Sequence, residues 1–206
     1  MSSIRAVCFD IGGVLAHVAL SWDAAMVAAG FKAGPSYEIP LEVLGAFKLF
    51  QAGQLDIEAY LDELGDYLGL NAAAALRVHE SILLRPTEGT LEIIEALNSK
   101  SVTTGCLSNT NTLHWSVLTD PARYPNVAAL KIKAASQVIG HNKPAEEAYR
   151  AFESLTGAAG SQILFFEDGE SNVAAAAALG WNAVLVDPQG DQAKTIRAAL
   201  NSAGLG

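Results

Sequence analysis

Four short apolar runs, each halted by a polar or acidic residue, constrain the fold of this chain more than any other feature. They are residues 4–10 (IRAVCFD), 103–108 (TTGCLS), 162–167 (QILFFE) and 183–187 (AVLVD). Runs of this length and continuity read as strands buried on both faces, as in a parallel sheet covered by helices. Helical patterns lie between them. Thr87 is placed to cap 88–99, where Leu91, Ile94, Glu95 and Leu97 are spaced for a helix. Pro144 suits a first helical position, with Ala148, Tyr149, Phe152 and Leu155 then on one face. Residues 171–179 are alanine-rich and end at Gly180. Alternating strands and helices imply an α/β fold with a Rossmann-like parallel sheet, right-handed crossovers, and ligands at the carboxyl ends of the strands.

Between the first run and residue 87 every pattern is helical. Ser21 can cap 22–29, stopped by Gly30, and Pro40 can start 40–51, stopped by Gly53. Asp56 can cap 57–68, where Ile57, Tyr60, Leu61, Leu64 and Leu68 form an apolar stripe before Gly69. Asn71 can cap 72–83. The chain therefore divides into an α/β core of residues 1–16 and 86–206 and a four-helix cap of residues 17–85. Short crossings near 16–20 and 84–88 join the two, the second carrying Arg85-Pro86. A cap over the strand ends acts as a lid that excludes water and selects the substrate.

Length and charge bound the partners. With 206 residues, half of them apolar, the chain can bury one full core plus a small accessory domain. A formal charge of −9 opposes nucleic-acid binding, which needs a basic face. No charge-free apolar stretch reaches the roughly 18 residues of a membrane span. The N-terminus, MSSIRAVCFD, reads as a first strand rather than a signal peptide. Cys8 and Cys106 lie inside apolar runs and read as buried free thiols, which fits a reducing, cytoplasmic setting. A monomer or homodimer is expected.

Four segments can carry chemistry. In Phe9-Asp10-Ile11-Gly12-Gly13, a carboxylate ends a buried strand and two glycines leave the backbone open to a ligand. The bland alternative is an Asp that caps a helix. Ser108-Asn109-Thr110-Asn111 ends the second strand in hydroxyl and amide donors suited to an anion, or in a plain helix cap. Lys143-Pro144 fixes a cation just before a helix, though a lone lysine is usually solvated. Glu167-Asp168 closes a strongly apolar strand, and adjacent acids repel unless a hard cation such as Mg2+ compensates; the alternative is an exposed acidic turn.

In this order the segments resemble the motifs of the haloacid dehalogenase superfamily: a strand-end Asp, a strand-end Ser or Thr, a Lys, then an acidic pair. The stretches LSNTNTLH (107–114), NKPAEEAY (142–149) and FFEDGESNVAAAAALGW (165–181) look closest to the bacterial glucose-1-phosphate phosphatase group. The resemblance implies a phosphatase acting on a small phosphorylated substrate. Asp10 would form an aspartyl-phosphate, and Ser108, the Asn109 amide and Lys143 would hold the phosphoryl oxygens. Mg2+ would be bound by Asp10, the carbonyl of Gly12 and Asp168, with Glu167 orienting a metal-bound water.

One position departs from the resemblance. Such phosphatases usually carry a second Asp two residues after the nucleophile, as acid and base, and this chain has Gly12. Either the substrate has a good leaving group, such as an anomeric hydroxyl or an acyl or aryl phosphate, or His17 supplies the proton. Two other classes stay open: a 2-haloacid dehalogenase, disfavoured by the acidic pair, and a catalytically weak ligand-binding relative.

Overall fold

The computed structural model describes residues 3–32 and 40–206. In chain order its elements begin with β1 (Ala6–Phe9), β2 (Ala16–Val18), α1 (Trp22–Ala28), a 3₁₀ turn (Leu41–Val43), α2 (Gly45–Gln51), α3 (Ile57–Leu68), α4 (Ala72–Glu80) and β3 (Leu83–Pro86). They continue with α5 (Thr90–Asn98), β4 (Thr103–Ser108), α6 (Thr112–Leu118), α7 (Pro125–Ala128), β5 (Ile132–Ala135), α8 (Ser136–Ile139) and α9 (Glu146–Thr156). The last are β6 (Ile163–Glu167), α10 (Glu170–Ala178), β7 (Asn182–Leu185) and α11 (Gln192–Ser202).

Five strands form one parallel sheet in the order β5-β4-β1-β6-β7. The chain builds outward from β1 through β4 to β5, then crosses to β6 and β7 on the other side. That reversal opens a crevice beyond the carboxyl end of β1. Side chains alternate across the sheet. Val7, Phe9, Leu164 and Phe166 face one layer, under Ile93, Ile94 and Leu97 of α5 and Ile196 and Leu200 of α11. Ala6, Cys8, Ile163 and Phe165 face the other, under Tyr149 and Phe152 of α9 and Ala176 of α10. Each fully buried phenylalanine contributes about 1.5–3 kcal/mol. Cys8 and Cys106 belong to opposite layers, so the free thiols do not meet.

The segment between β2 and β3 has its own apolar cluster, built on Trp22, Phe47, Phe50, Tyr60, Leu61, Leu64 and Val78. Ser21, Asp56 and Asn71 cap α1, α3 and α4 through their side chains. Several sequence expectations need correction. The span 40–51 is broken into the 3₁₀ turn and α2, and α4 stops at Glu80, so 83 onward is strand. Gly89, not Thr87, caps α5, and Thr87 instead accepts the Thr90 hydroxyl at its carbonyl. Pro144 precedes α9, whose cap is Ala145, and Leu155 is exposed. The strands β2, β3 and β5 have no counterpart in the sequence reading. β2 and β3 pair antiparallel, Ala16 opposite Pro86 and Val18 opposite Leu83, and so bind the two crossing segments into one ribbon.

Candidate active site

Three strand ends converge in the crevice. Asp10 follows β1, Ser108 ends β4 and Glu167 ends β6, with Asp168 next in line. The parallel pairing sets this meeting: Phe9 lies beside Cys106 and Phe166, so the residues just beyond these partners share one edge of the sheet. The Asp10 N–H donates to the Phe166 carbonyl at 2.8 Å, which extends the ladder by one residue. No helix follows Asp10; the chain turns back through a Gly13 N–H bond to Ala16 and enters β2. Asp10 is therefore not a helix cap. Nor is Ser108 or Asn109, because Asn111 caps α6 by accepting from the His114 N–H at 3.0 Å.

Lys143 is buried, and its ammonium lies 3.0 Å from Asp10 Oδ1 and 2.5 Å from Glu167 Oε2. It also sits 5.5 Å from the centre of the Phe165 ring. The backbone that presents it is clamped by Asn109, whose side chain accepts the Lys143 N–H at 2.7 Å and donates to the Lys143 carbonyl at 2.9 Å. The other oxygen of Glu167 accepts from the Gly169 N–H at 3.0 Å and from Asn172 Nδ2 at 3.1 Å. Both Glu167 oxygens are thus engaged by the protein. Asp10, Glu167 and Asp168 each bring a carboxylate oxygen within 4.8 Å of the others.

Three carboxylates share one ammonium, and the titration of each follows from that imbalance. Burial and then Glu167 push Asp10 up to about 6, against the pull of Lys143. Asp168 makes no ion pair among the described residues; burial, Asp10 and Glu167 together push it to about 8. Burial would raise Glu167 too, but the Lys143 ion pair and the Gly169 and Asn172 bonds hold it below its usual value. Burial opposes the charge of Lys143, yet Asp10 and Glu167 outweigh it and hold the ammonium firmly protonated. Hard, oxygen-only donors with uncompensated negative charge fit a divalent cation such as Mg2+.

The cavity over this cluster has a volume of about 630 Å3. Asp10, Gly12, Ser108, Asn109, Lys143, Glu167 and Asp168 all line it. The segment 40–83 adds further walls, among them Leu41, Phe47, Gln51 and Ile82. Gln51 ties this segment down: its Nε2 donates to the Asn109 carbonyl at 3.3 Å, and its own carbonyl accepts the Ser136 hydroxyl at 2.6 Å. Asn142 Nδ2 donates to the Lys48 carbonyl at 2.9 Å. These partners lie far apart in the chain and left no local signal. His17 does not line the cavity; the neighbouring Val18 does, and it faces Gly12. A Cβ built on Gly12 would meet only Val18 methyls, at 3.7 Å and beyond.

Solved structures share this architecture. A predicted HAD-like family hydrolase from Porphyromonas gingivalis has 24% sequence identity and a TM-score of 0.78, with 97% of this chain and 98% of that one covered. A HAD family enzyme from Bacteroides thetaiotaomicron, in complex with magnesium and inorganic phosphate, has 20% identity and a TM-score of 0.71, covering 92% and 97%. The L-2-haloacid dehalogenase from Xanthobacter autotrophicus, with chloropropionic acid covalently bound, has 18% identity and a TM-score of 0.63, covering 98% and 84%. These likenesses show a common fold. No curated protein matches the chain. The model of the haloacid dehalogenase-like hydrolases matches residues 4–180, and the chain belongs to that family of hydrolases.

Proposed function

We propose that the protein is an Mg2+-dependent phosphomonoester hydrolase acting on a small phosphorylated metabolite through an aspartyl-phosphate at Asp10. The carrying observation is Asp168: a mostly buried carboxyl beside Asp10, with no ion-pair partner among the described residues. Displacement of halide from carbon needs no second acid there, whereas a phosphoryl group brings charge that a cation must offset.

Asp10, Asp168 and the Gly12 carbonyl would hold the ion. Mg2+ bound there would neutralise the carboxylates and withdraw charge from a phosphoryl oxygen. Asp10 attacks phosphorus with the carboxylate oxygen not paired to Lys143. The Lys143 ammonium, the Ser108 hydroxyl and the Asn109 amide hold the remaining phosphoryl oxygens. Glu167 keeps Lys143 charged and aligned, and would orient water at the metal. The four-helix segment 17–85 serves as the cap, closing the site against solvent. The protein is proposed to work in the cytoplasm.

A panel of sugar phosphates and an aryl phosphate, with and without Mg2+, tests this on wild type and Asp10→Asn. The panel includes sugar phosphates because three sequence stretches resemble the glucose-1-phosphate phosphatase group. Phosphate release that needs Mg2+ and is lost in the variant is the expected result. Chloride release from a 2-haloacid without metal, and no phosphate from any ester, would overturn it.

A further inference from the structure

An ester is displaced by Asp10 only if the departing oxygen can be protonated or can bear its charge, so the groups facing the cavity decide which esters are usable. This inference rests on the phosphatase reading above. Asp10 is the attacking group, Asp168 is taken up as a ligand of the proposed metal, and Lys143 and Glu167 are locked to one another. Ser108, Thr110, Ser171 and the amides of Gln51, Asn109, Asn142 and Asn172 are too weakly acidic to replace them.

Among the described residues, His114 is the one imidazole lining the cavity, and its protons are committed. Asn111 Oδ1 accepts the His114 N–H, which fixes the orientation of that amide. Its oxygen therefore takes the Nε2 proton of His79 at 3.2 Å, and its nitrogen donates to His114 Nδ1 at 3.4 Å. His114 Nε2 must then donate to the His79 carbonyl at 2.9 Å, and the Tyr60 hydroxyl to His79 Nδ1 at 2.7 Å. The two rings stack with centroids 4.1 Å apart. All four ring nitrogens are satisfied with both rings neutral, and none is left for a substrate.

The remaining lining groups that ionise, Glu42 and Lys48, are exposed residues of the inserted segment. The walls on that side are otherwise largely apolar: Val18, Ala19, Leu41, Phe47, Ile82 and Leu83.

We infer that the enzyme has no internal acid for its leaving group and takes a phosphate on a weakly basic oxygen of a largely apolar body: an aryl, enol or acyl phosphate. An Asp10 carboxylate oxygen bonds to phosphorus as the phosphorus–oxygen bond to the leaving group breaks. The bonding pair stays on the leaving oxygen, which departs as an anion and takes its proton from solvent. Water then adds to the phosphorus of the aspartyl-phosphate as its bond to the Asp10 oxygen breaks; one water proton returns to solvent, the other stays on the inorganic phosphate, and Asp10 is freed as a carboxylate.

Single-turnover rates with Mg2+ would be measured for substituted phenyl phosphates of graded phenol acidity and for an alkyl phosphate. The rate should fall steeply as the leaving phenol becomes more basic, with the alkyl ester at least about 10³-fold slower than the most activated phenyl ester. Gly12→Asp, whose Cβ would meet only Val18 methyls at 3.7 Å and beyond, should narrow that ratio at least tenfold by supplying a proton donor. A flat dependence, or alkyl turnover within tenfold of the activated ester, would overturn the inference while leaving the phosphatase reading intact. Loss of alkyl turnover alone in Glu42→Gln would also overturn it, since Glu42 would then be the acid. Absence of phosphate from every ester would sink both readings together.

Discussion

A Cβ placed on Gly13 would lie 2.3 Å from Oδ2 of Asp168, so the glycine is the space that the carboxylate occupies. Its φ of +69° adds a backbone reason, since this left-handed conformation costs other residues of order 1–3 kcal/mol. Gly13→Ala should therefore lower thermal stability and displace Asp168, weakening Mg2+ binding at least about tenfold, equivalent to roughly 1.4 kcal/mol. Gly12→Ala next door meets only Val18 methyls and should keep both properties near wild type. Magnesium titration followed by thermal unfolding compares the two. Equal effects would show that the glycine pair serves the turn alone.

Lys143 depends on Asn109, which grips its N–H and its carbonyl at once. Two neutral hydrogen bonds at about 1 kcal/mol each are at stake in Asn109→Ala. The expected result is a fall in kcat of roughly ten- to a hundredfold, with Mg2+ affinity close to unchanged, because Asn109 touches none of the three carboxylates. Parallel loss of Mg2+ binding would place Asn109 in the metal site.

The titration of Asp10 and Asp168 couples the metal to pH. Both carboxyls are raised from 3.8, to about 6 and about 8, so across that range the metal-free fold binds more protons than the unfolded chain. The contribution of these two carboxyls to the stability of the metal-free protein therefore falls as pH rises between about 4 and 8. A cation binds the deprotonated form, so the rise in Tm on adding saturating Mg2+ should grow from about pH 5.5 to about pH 8.5. Calorimetry in EDTA and in Mg2+ measures it, and an increment independent of pH would refute the assignment.

The stacked histidines carry the opposite sign. Burial holds His79 well below 6.5 and His114 at about 4, so the unfolded chain takes up protons first as pH falls. Their contribution to stability is complete above about pH 6.5 and is lost toward pH 4. His114→Gln should lower urea stability at pH 7 and reduce the pH slope between about 5 and 7, read as the difference from wild type at each pH so that the carboxylates cancel. An identical slope would mean that the ring titrates normally.

The sheet was readable because its strands carry their own signal: IRAVCFD and QILFFE are mostly apolar and stop at acids. Asp10, Ser108 and Glu167 are visible for the same reason, each marking a strand end. The edge strand β5, Ile132–Ala135, carries no such run; its lysine points its amine at the Ala128 and Leu130 carbonyls. The β2–β3 ribbon exists through pairing between segments some 65 residues apart, as Val18 opposite Leu83 shows, and neither half reads as a strand alone. The same holds for the Asn109 clamp, the Gln51 tie and the Tyr60–His79–Asn111–His114 circuit. Their members are ordinary polar residues until the fold brings distant positions together.

That ribbon has a consequence for how such an enzyme diversifies. Because Val18 and Leu83 face each other across two paired strands, the inserted helices leave and rejoin the chain at neighbouring points. The register that holds Asp10 beside Ser108 and Glu167 is set by the parallel sheet, outside the insert, which meets the core through the ribbon and through ties such as Gln51 to Asn109 and His79 to Asn111. Under the proposed function, selectivity would be set in the insert and reactivity at the strand ends, two stretches of the chain that meet at one cavity.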